Sequence, residues 1–400
     1  MSHLPPSRKT LSSADVPRRL SLAVAALLLG VAVDAGAGQA TPAAADLKTH
    51  IANLSALEFP TRSNAARMIR RAPATQAVPA LAEAVAKHPD EFVRYRAFIV
   101  LSSFNDRGTA DLARGLLRDR NDRLREAAYK WLEANPDPAL TAALLASLQT
   151  EQAEFVRPAL VGTLAALGGN PQVQRALLAE ITRGLDFFRS AVIDALGRHD
   201  AEYAVDVIAG VAVLDGPLQD DSILALGRIG GARAAAALAK IAGPPADLAL
   251  TIRGAQCLLG ERCESTIKAL SDAAGAAGAS ASIVRAAVTA LAAIAASSND
   301  PATAALVGLA ARGGLVRDEA MLGFATVAVR NPDHAIRWID VAPAPVQSAA
   351  LELLKEGFED LEEDFGEEQF FAAARAAYWK AADGTSSRTL AATLIQALEF

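Results

Sequence analysis

Residues 92–101 read FVRYRAFIVL, and the pattern returns as FVRPALVGTL at 155–164 and FFRSAVIDAL at 187–196. Ten phrases of this kind follow one another at intervals of 30 to 34 residues. With the arginine as reference, the ladder positions are Arg62, Arg94, Arg125, Arg157, Arg189, Gln219, Thr251, Arg285, Arg317 and Gln347. A fixed period of this size is typical of a solenoid, in which each unit buries its apolar face only by stacking on its neighbours.

The phrases themselves have the spacing of an amphipathic helix. Around Arg94, the apolar residues Val93, Ala97, Phe98 and Leu101 stand at −1, +3, +4 and +7 relative to the arginine. That spacing places them on one face of a helix with 3.6 residues per turn. The preceding stretch at 75–88, TQAVPALAEAVAKH, predicts a first helix in the same unit. Each unit is therefore predicted to be a pair of helices.

Two recurring details identify the repeat class. An acid stands three residues before the arginine in four consecutive units, at Glu91, Asp122, Glu154 and Asp186. Leu-Gly pairs end the phrases in DALGRHD at 194–200 and LALGRIGG at 224–231. Over residues 44–358 the chain resembles the HEAT-repeat family, in particular short HEAT-like repeats of the phycobilisome-lyase type. The resemblance implies an all-α fold, a right-handed α-α superhelix (HEAT-like solenoid) of about ten helix pairs.

The arginine and the acid suggest what holds the repeats together. An acid at a helix start suits the free N–H groups and the positive end of the helix dipole. We expect the arginines to form a row of ion pairs that join adjacent repeats. The arginine is missing at Gln219, Thr251 and Gln347, where we expect weaker links.

Residues 1–40 have the features of a signal peptide. Arg18 and Arg19 precede an uncharged apolar stretch at 20–33, and small residues follow up to Ala40. A charged segment, an apolar segment and small residues in this order are typical of secretory signals, with cleavage expected after Ala37 or Ala40. We therefore expect an exported, periplasmic protein with no stable membrane span after cleavage. The paired arginines leave the twin-arginine route open.

The end of the chain differs from the repeats. After a solenoid at residues 41–358, residues 359–400 read as an acidic segment followed by two C-terminal capping helices. Solenoids require such polar caps at their ends. The alternative is a docking patch for a partner, built on Phe358, Phe365, Tyr378 and Trp379.

The cysteines at 257 and 263 are the two in the chain. They lie in CLLGERC, where Gly260 favours a helix end between them. Across such a corner Cys257 and Cys263 come within reach of a disulfide, which an oxidising compartment favours. The alternative is a pair of free thiols.

Chemical motifs are missing from the sequence. It contains no glycine-rich phosphate loop, zinc-binding HExxH or nucleophile elbow. His88, His199 and His334 fall at helix corners, where we expect solvated or capping side chains. We therefore predict no catalytic residues, no cofactor and no metal. A net charge of −6 argues against a nucleic-acid binder.

The function expected from these features is an exported, non-catalytic scaffold for a protein partner. The resemblance implies a concave surface formed by outward positions of the second helices. These include Tyr95, Arg96, Lys130, Trp131, Asp194, Asp220, Asp221, Arg253 and Glu319. The predicted partner-binding residues are Tyr95, Arg96, Lys130 and Trp131, as exposed aromatic rings beside basic charge. The alternative is an exported enzyme or small-ligand-binding protein that uses the concave groove, which a cluster of perturbed pKa values in one deep pocket would favour.

Overall fold

The described part of the chain is built from helices. The computed structural model describes residues 44–241, 243–361 and 364–397, and within these ranges it contains α-helices, short 3-10 helices and no strand. All of these residues belong to one unit, Thr41–Phe400. The predicted signal peptide at 1–40 lies outside the described residues.

Ten helix pairs follow one another in the described ranges, and two further helices come after them. The pairs are α1 (Ala44–Ala52) and α2 (Phe59–Arg71); α3 (Ala74–Lys87) and α4 (Glu91–Ser102); α5 (Thr109–Leu116) and α6 (Asp122–Ala134); α7 (Thr141–Thr150) and α8 (Val156–Ala165); α9 (Pro171–Ile181) and α10 (Asp186–Arg198); α11 (Val205–Ala212) and α12 (Gln219–Ile229); α13 (Gly231–Leu238) and α14 (Ala246–Leu258); α15 (Cys263–Ala274) and α16 (Ala281–Ala296); α17 (Asp300–Ala310) and α18 (Gly314–Arg330); α19 (Pro332–Val341) and α20 (Ala344–Leu361). The last two helices are α21 (Asp364–Lys380) and α22 (Ser386–Ala397). Every ladder position lies in the second helix of its pair, so the prediction of an all-α superhelical solenoid is confirmed.

Polar side chains cap the start of some of the second helices, among them α4 and α6. Asp90 accepts a hydrogen bond from the Phe92 backbone N–H, and Asn121 accepts from those of Arg123 and Leu124. These caps satisfy N–H groups that have no partner inside the helix. In α4 and α6 the capping residue therefore stands four residues before the ladder arginine. The acid at −3 is the first helical residue of α4, α6 and α10, whereas Glu154 lies before the start of α8.

Stacking of the second helices forms the central row of the fold. Each second helix from α2 to α20 contacts the next second helix along the chain. The Leu-Gly signal is explained by how close these helices lie. A Cβ on Gly227 would lie 2.7 Å from the Ala255 Cα, and a Cβ on Gly197 would lie 3.0 Å from the Ala225 Cα. A side chain at either glycine would force the neighbouring helix backbones apart.

The C-terminal helices bring the two ends of the row together. Helix α21 packs against α18 and α19, and on its other side it contacts α4. The Arg375 guanidinium donates to the Ala72 carbonyl at 3.2 Å and lies 4.2 Å from the Phe104 ring centre. Arg70 lies 4.6 Å from the centre of the Phe371 ring. The predicted caps therefore pack on the first repeats as well as on the last one.

The predicted boundary between residues 358 and 359 falls inside α20, which continues to Leu361. The helix continues because Leu354 and Phe358 keep its apolar face buried, while Glu359 and Asp360 extend the exposed face. Phe358 is in the core and unavailable for the alternative docking patch, whereas Trp379 is 60% exposed. The side chain of Phe365 lies outside the described ones.

Candidate functional site

The ladder side chains bind the end of the preceding helix in their own repeat. Arg94 Nε donates to the Val85 carbonyl at 2.8 Å, and Arg189 Nε donates to the Ile181 carbonyl at 2.8 Å. Carbonyl groups in the last turn of a helix have no partner within it, and the helix dipole favours a positive charge there. The arginine thus caps the first helix from the second.

Ladder arginines also form ion pairs with the next repeat. Arg94 pairs with Asp119 at 2.5 Å, and Arg125 forms two bonds to Glu151 at 2.8 and 2.9 Å. The acids that join the repeats therefore lie 25 and 26 residues after the arginine. Of the predicted acids at −3, Asp186 is bonded to its arginine, Arg189, at 2.8 Å.

Glutamine replaces arginine in this role at two positions. Gln219 donates to the Ala212 carbonyl at 3.1 Å, and Gln347 donates to the Ile339 carbonyl at 3.0 Å. The side-chain amide supplies the N–H donor without the charge. The link within the repeat therefore persists at Gln219 and Gln347, but a neutral amide cannot form the charged link to the next repeat, where we expected weakening.

The predicted partner-binding residues do not form one exposed surface. Tyr95 and Trp131 are both buried, so the prediction that their rings are exposed is wrong. The reason is that the side of the second helices turned away from the first helices is also covered: α21 packs on α4, and α10 reaches α6 through Arg198 and Glu133. Lys130 is paired with Glu126 at 3.4 Å.

Exposed rings occur instead at one edge of the row, where the second helices begin. Phe92, Phe155 and Phe187 each stand two residues before the ladder arginine and are 45%, 41% and 58% exposed. Arg123 holds the same place in the repeat between the first two, and its guanidinium lies 5.6 Å from the Phe155 ring centre. Arg96 lies 4.9 Å from the Phe92 ring centre. We call Phe92, Arg123, Phe155 and Phe187 the aromatic edge.

A second cluster lies where α6, α10, α12 and α18 converge. Asp194 accepts hydrogen bonds from Arg228 at 2.8 Å, from Arg198 at 3.0 Å and from Arg330 at 3.0 Å. Arg198 also pairs with Glu133, whose carboxylate lies 3.0 Å from His199 Nε2. We call Asp194, Glu133, Arg198, Arg228 and Arg330 the interior cluster.

Charge in the interior cluster perturbs its pKa values. Burial alone would raise the pKa of Asp194, but Arg330, Arg198 and Arg228 outweigh it and hold that pKa well below its usual range. Burial and the neighbouring charge of Arg330 lower the pKa of Arg228, although Asp194 opposes them. Three guanidiniums face two carboxylates, so positive charge is in excess here.

A cavity of about 230 Å³ adjoins this cluster, between α10, α12, α16 and α18. Its charged lining consists of Asp194, Asp221, Arg228, Glu319 and Arg330. The sequence pattern had placed Asp194, Asp221 and Glu319 on outward positions of the second helices, and the structure brings these three together.

Sequence reasoning missed the arginines of the interior cluster. A usable signal was the tripeptide Leu-Gly-Arg, which ends at Arg198 in one phrase and at Arg228 in the next. Equivalent positions in adjacent repeats lie on the same face of the row of helices, so Arg198 and Arg228 could have been predicted to lie side by side. Arg330 has no such counterpart, and only its contact with Asp194 reveals it.

The cysteines and histidines have structural roles. Cys257 and Cys263 are joined by a disulfide across the corner between α14 and α15, with Cα atoms 4.4 Å apart. His334 differs from the expectation of a solvated corner: it is buried, and its Nε2 lies 2.9 Å from Thr303 Oγ1.

Among the described residues, no group of three or more His, Cys, Asp or Glu is arranged to hold a metal ion. None of the helices described is both long and apolar enough to span a membrane.

Comparison with known proteins identifies the repeat class. Residues 50–133 match the family of HEAT repeats, which confirms the predicted resemblance. Human deoxyhypusine hydroxylase in complex with glycerol is similar at 19% identity, over 67% of this chain and 99% of that one, with a TM-score of 0.28. UNC-45 from Drosophila melanogaster is similar at 16% identity, over 88% of this chain and 60% of that one, with a TM-score of 0.27. No curated protein sequence matches the chain. The HEAT repeats support a repeat scaffold for protein interaction.

Proposed function

We propose that this protein is an exported, non-catalytic scaffold that binds a protein partner along the aromatic edge. The observation that carries the proposal is the exposure of Phe92, Phe155 and Phe187 at one repeated position. Large apolar rings exposed in a row are typical of interaction sites, because burying them against a partner removes apolar surface from water.

The aromatic edge is continuous along α4, α6, α8 and α10, since these helices pack against one another in that order. Packed helices lie about 8–10 Å apart, so the side chains of the edge follow one another at about that spacing. A protein segment can match it with apolar side chains at every third residue of a polyproline II helix, which has three residues per turn and rises about 3.1 Å per residue. A partner segment of this kind would contact several repeats at once.

Part of the predicted binding set is compatible with this surface. Arg96 lies over the Phe92 ring and extends the edge with a positive charge. Tyr95 packs near Phe92, with ring centres 6.4 Å apart, and so supports that ring from inside the fold. We therefore retain Arg96 as a contact residue and assign Tyr95 a supporting role. Lys130 is paired with Glu126 and Trp131 is buried, so neither belongs to the surface proposed here.

The proposed location in the periplasm rests on two features. Residues 1–40 have the order of a secretory signal, and the joined pair Cys257 and Cys263 suits an oxidising compartment. N-terminal sequencing of protein recovered from the periplasm is expected to start after Ala37 or Ala40. Recovery of protein that still begins with Met1 in washed membranes would contradict cleavage and mean that residues 1–40 act as a membrane anchor; the proposal for the aromatic edge does not depend on this result.

The binding test compares two aromatic sites. A photo-crosslinking residue at position 155 is expected to capture a defined partner from living cells, and the double variant Phe155→Ser with Phe187→Ser is expected to lose it. Trp379→Ser is the matched control, because Trp379 is as exposed as Phe187 and lies outside the edge. Thermal unfolding of each variant shows that the repeats stay folded. If the double variant still captures the partner and Trp379→Ser does not, the binding site lies on the C-terminal helices and the proposal for the aromatic edge is wrong.

A further inference from the structure

The cavity between α10, α12, α16 and α18 has a charge polarity that neither the repeats nor the scaffold role requires. On α12, Asp221 lies seven residues before Arg228, and on α18, Glu319 lies eleven residues before Arg330. Arg228 and Arg330 both bind Asp194, so the basic ends of the two helices meet. Both helices therefore run from an acidic end of the cavity to a basic end.

The basic end has spare positive charge. Arg228 binds Asp194 through one nitrogen, Nη1, although a guanidinium carries five N–H donors. Around Asp194 the guanidiniums outnumber the carboxylates, and the pKa of Arg228 is lowered by burial and then by Arg330. A carboxylate bound here would neutralise the excess and use the remaining donors.

The acidic end offers carboxylates held in place. Ser190 donates a hydrogen bond to Asp221 Oδ2 at 2.5 Å, which fixes that carboxylate. Glu319 receives a bond at 2.8 Å from Arg285, whose own side chain is largely exposed. Screening by water weakens a pair of this kind, so Glu319 keeps attraction for a further cation. An ammonium group suits this end.

The distance between the ends selects the ligand. Seven residues of helix at about 1.5 Å each separate the two charges on α12 by about 10 Å, whereas the eleven residues on α18 separate Glu319 from Arg330 by about 16 Å, so Asp221 is the carboxylate nearer to the basic end. A single amino acid is too short for that span, whereas an extended chain advances about 3.3 Å per residue. The wall between the ends is formed by small or apolar residues such as Leu224, Ala292 and Gly323. Pockets for drug-sized ligands measure about 300–1,000 Å³, so this cavity suits a smaller one.

We propose that this cavity binds a short linear peptide of two or three small residues with both termini free. The C-terminal carboxylate binds Arg228 and Arg330, the N-terminal ammonium binds Asp221, and Glu319 adds negative charge farther along the acidic end. The site is separate from the aromatic edge, so either proposal stands if the other fails.

The test uses trialanine, N-acetyl-trialanine and trialanine amide with the mature chain, by isothermal titration calorimetry. Trialanine is expected to bind, and removal of either terminal charge is expected to weaken binding about tenfold or more, because each forms charge-assisted hydrogen bonds. Free alanine is expected to bind more weakly than trialanine. Equal affinity for trialanine and the acetylated peptide would overturn the proposal and leave only an anion site.

Variants separate binding from folding. Arg228→Gln removes a ligand group but also disturbs Asp194, so the decisive variant is Thr289→Leu, which narrows the cavity from an exposed position without removing a charge. It is expected to abolish trialanine binding with unchanged thermal unfolding. Arg233→Gln, in an exposed ion pair with Asp206, is the control and is expected to bind normally. The proposal would be overturned if calorimetry detected no binding of millimolar trialanine to the natural chain. It would also be overturned if Thr289→Leu bound trialanine normally.

Discussion

The ladder and the interior cluster are both built from arginine–carboxylate pairs, but these pairs join residues at different separations along the chain. At the ladder, Arg125 binds Glu151 of the next repeat and the Asp119 carbonyl next to its own helix. In the interior cluster, Asp194 is shared by arginines from α10, α12 and α18, and Arg330 lies 136 residues away from it. One set therefore joins neighbours, and the other joins repeats that are distant in the chain.

This difference bears on how the molecule unfolds. The stability of a solenoid is close to a sum of terms for single repeats and for neighbouring repeats. The ladder fits that description, because arginines such as Arg94 and Arg125 each contribute one neighbour term. The Asp194–Arg330 contact and the packing of α21 on α4 do not fit it, since they connect repeats that are not neighbours. We expect these long-range contacts to make unfolding more cooperative than in an open array.

The largest expected effect comes from Asp194→Asn. It leaves Arg198, Arg228 and Arg330 facing Glu133 alone, and removing one partner of a buried ion pair costs about 3–5 kcal/mol. We expect about 3 kcal/mol, because 27% of the Asp194 side chain is exposed to screening water. Urea unfolding measures the loss. Asp206→Asn, in an exposed pair with Arg233, is the control and is expected to change little. Equal effects of the two variants would show that the interior cluster is no stronger than a surface pair.

Acid should weaken the interior cluster in a defined direction. The folded-state pKa of Asp194 lies well below its unfolded value, so its stabilising contribution is complete above about pH 4 and is lost as the pH falls further. The difference in stability between the natural chain and Asp194→Asn is therefore expected to shrink from pH 5 to pH 3. Denaturant midpoints measured at several pH values check this. A difference that stays constant would mean that the charge of Asp194 does not carry the effect.

At the ladder, Arg125→Ala is expected to cost about 2 kcal/mol, because it removes charge-assisted hydrogen bonds and leaves Glu151 without its arginine. Arg125→Gln is expected to recover part of that loss by binding the Asp119 carbonyl, as Gln219 binds the Ala212 carbonyl. The recovery distinguishes the carbonyl contact from the ion pair. Urea unfolding of both variants gives the two contributions, and identical losses would assign the whole effect to Glu151.

The sequence allowed prediction of the repeats because their cause is local. Apolar residues such as Val93, Ala97 and Phe98 recur at helical spacing, and burial of that face needs only the neighbouring repeat. The pairing of Cys257 with Cys263 could be predicted for the same reason, since only one helix corner separates them. The caps at Asp90 and Asn121 were missed by one residue, because an acid in the first turn and a true N-cap look alike in a sequence.

The candidate sites depend on contacts that no local pattern records. From the sequence, Tyr95 and Trp131 were predicted to be exposed residues of a groove. Both are buried, because other helices of the chain cover that side of the row. Arg330 lies beside Asp194 only because the row of helices turns back on itself. The aromatic edge was visible in the repeated phrases, at the position two residues before the arginine. Its exposure became apparent only when the corners were placed in three dimensions.

The smallest expected effect concerns the ladder position that lacks a charge. Gln347 donates to the Ile339 and Asp340 carbonyls at 3.0 and 3.2 Å. Gln347→Ala removes these neutral hydrogen bonds and is expected to cost about 1 kcal/mol, less than the loss of a charged ladder arginine. Gln347→Arg restores a donor in the repeat's usual form and is expected to stay within about 0.5 kcal/mol of the natural chain, in the range of ordinary surface changes. Thermal unfolding of the two variants side by side measures the difference. If arginine destabilises this position as much as alanine does, the ladder side chains are specific to their own repeats rather than interchangeable caps.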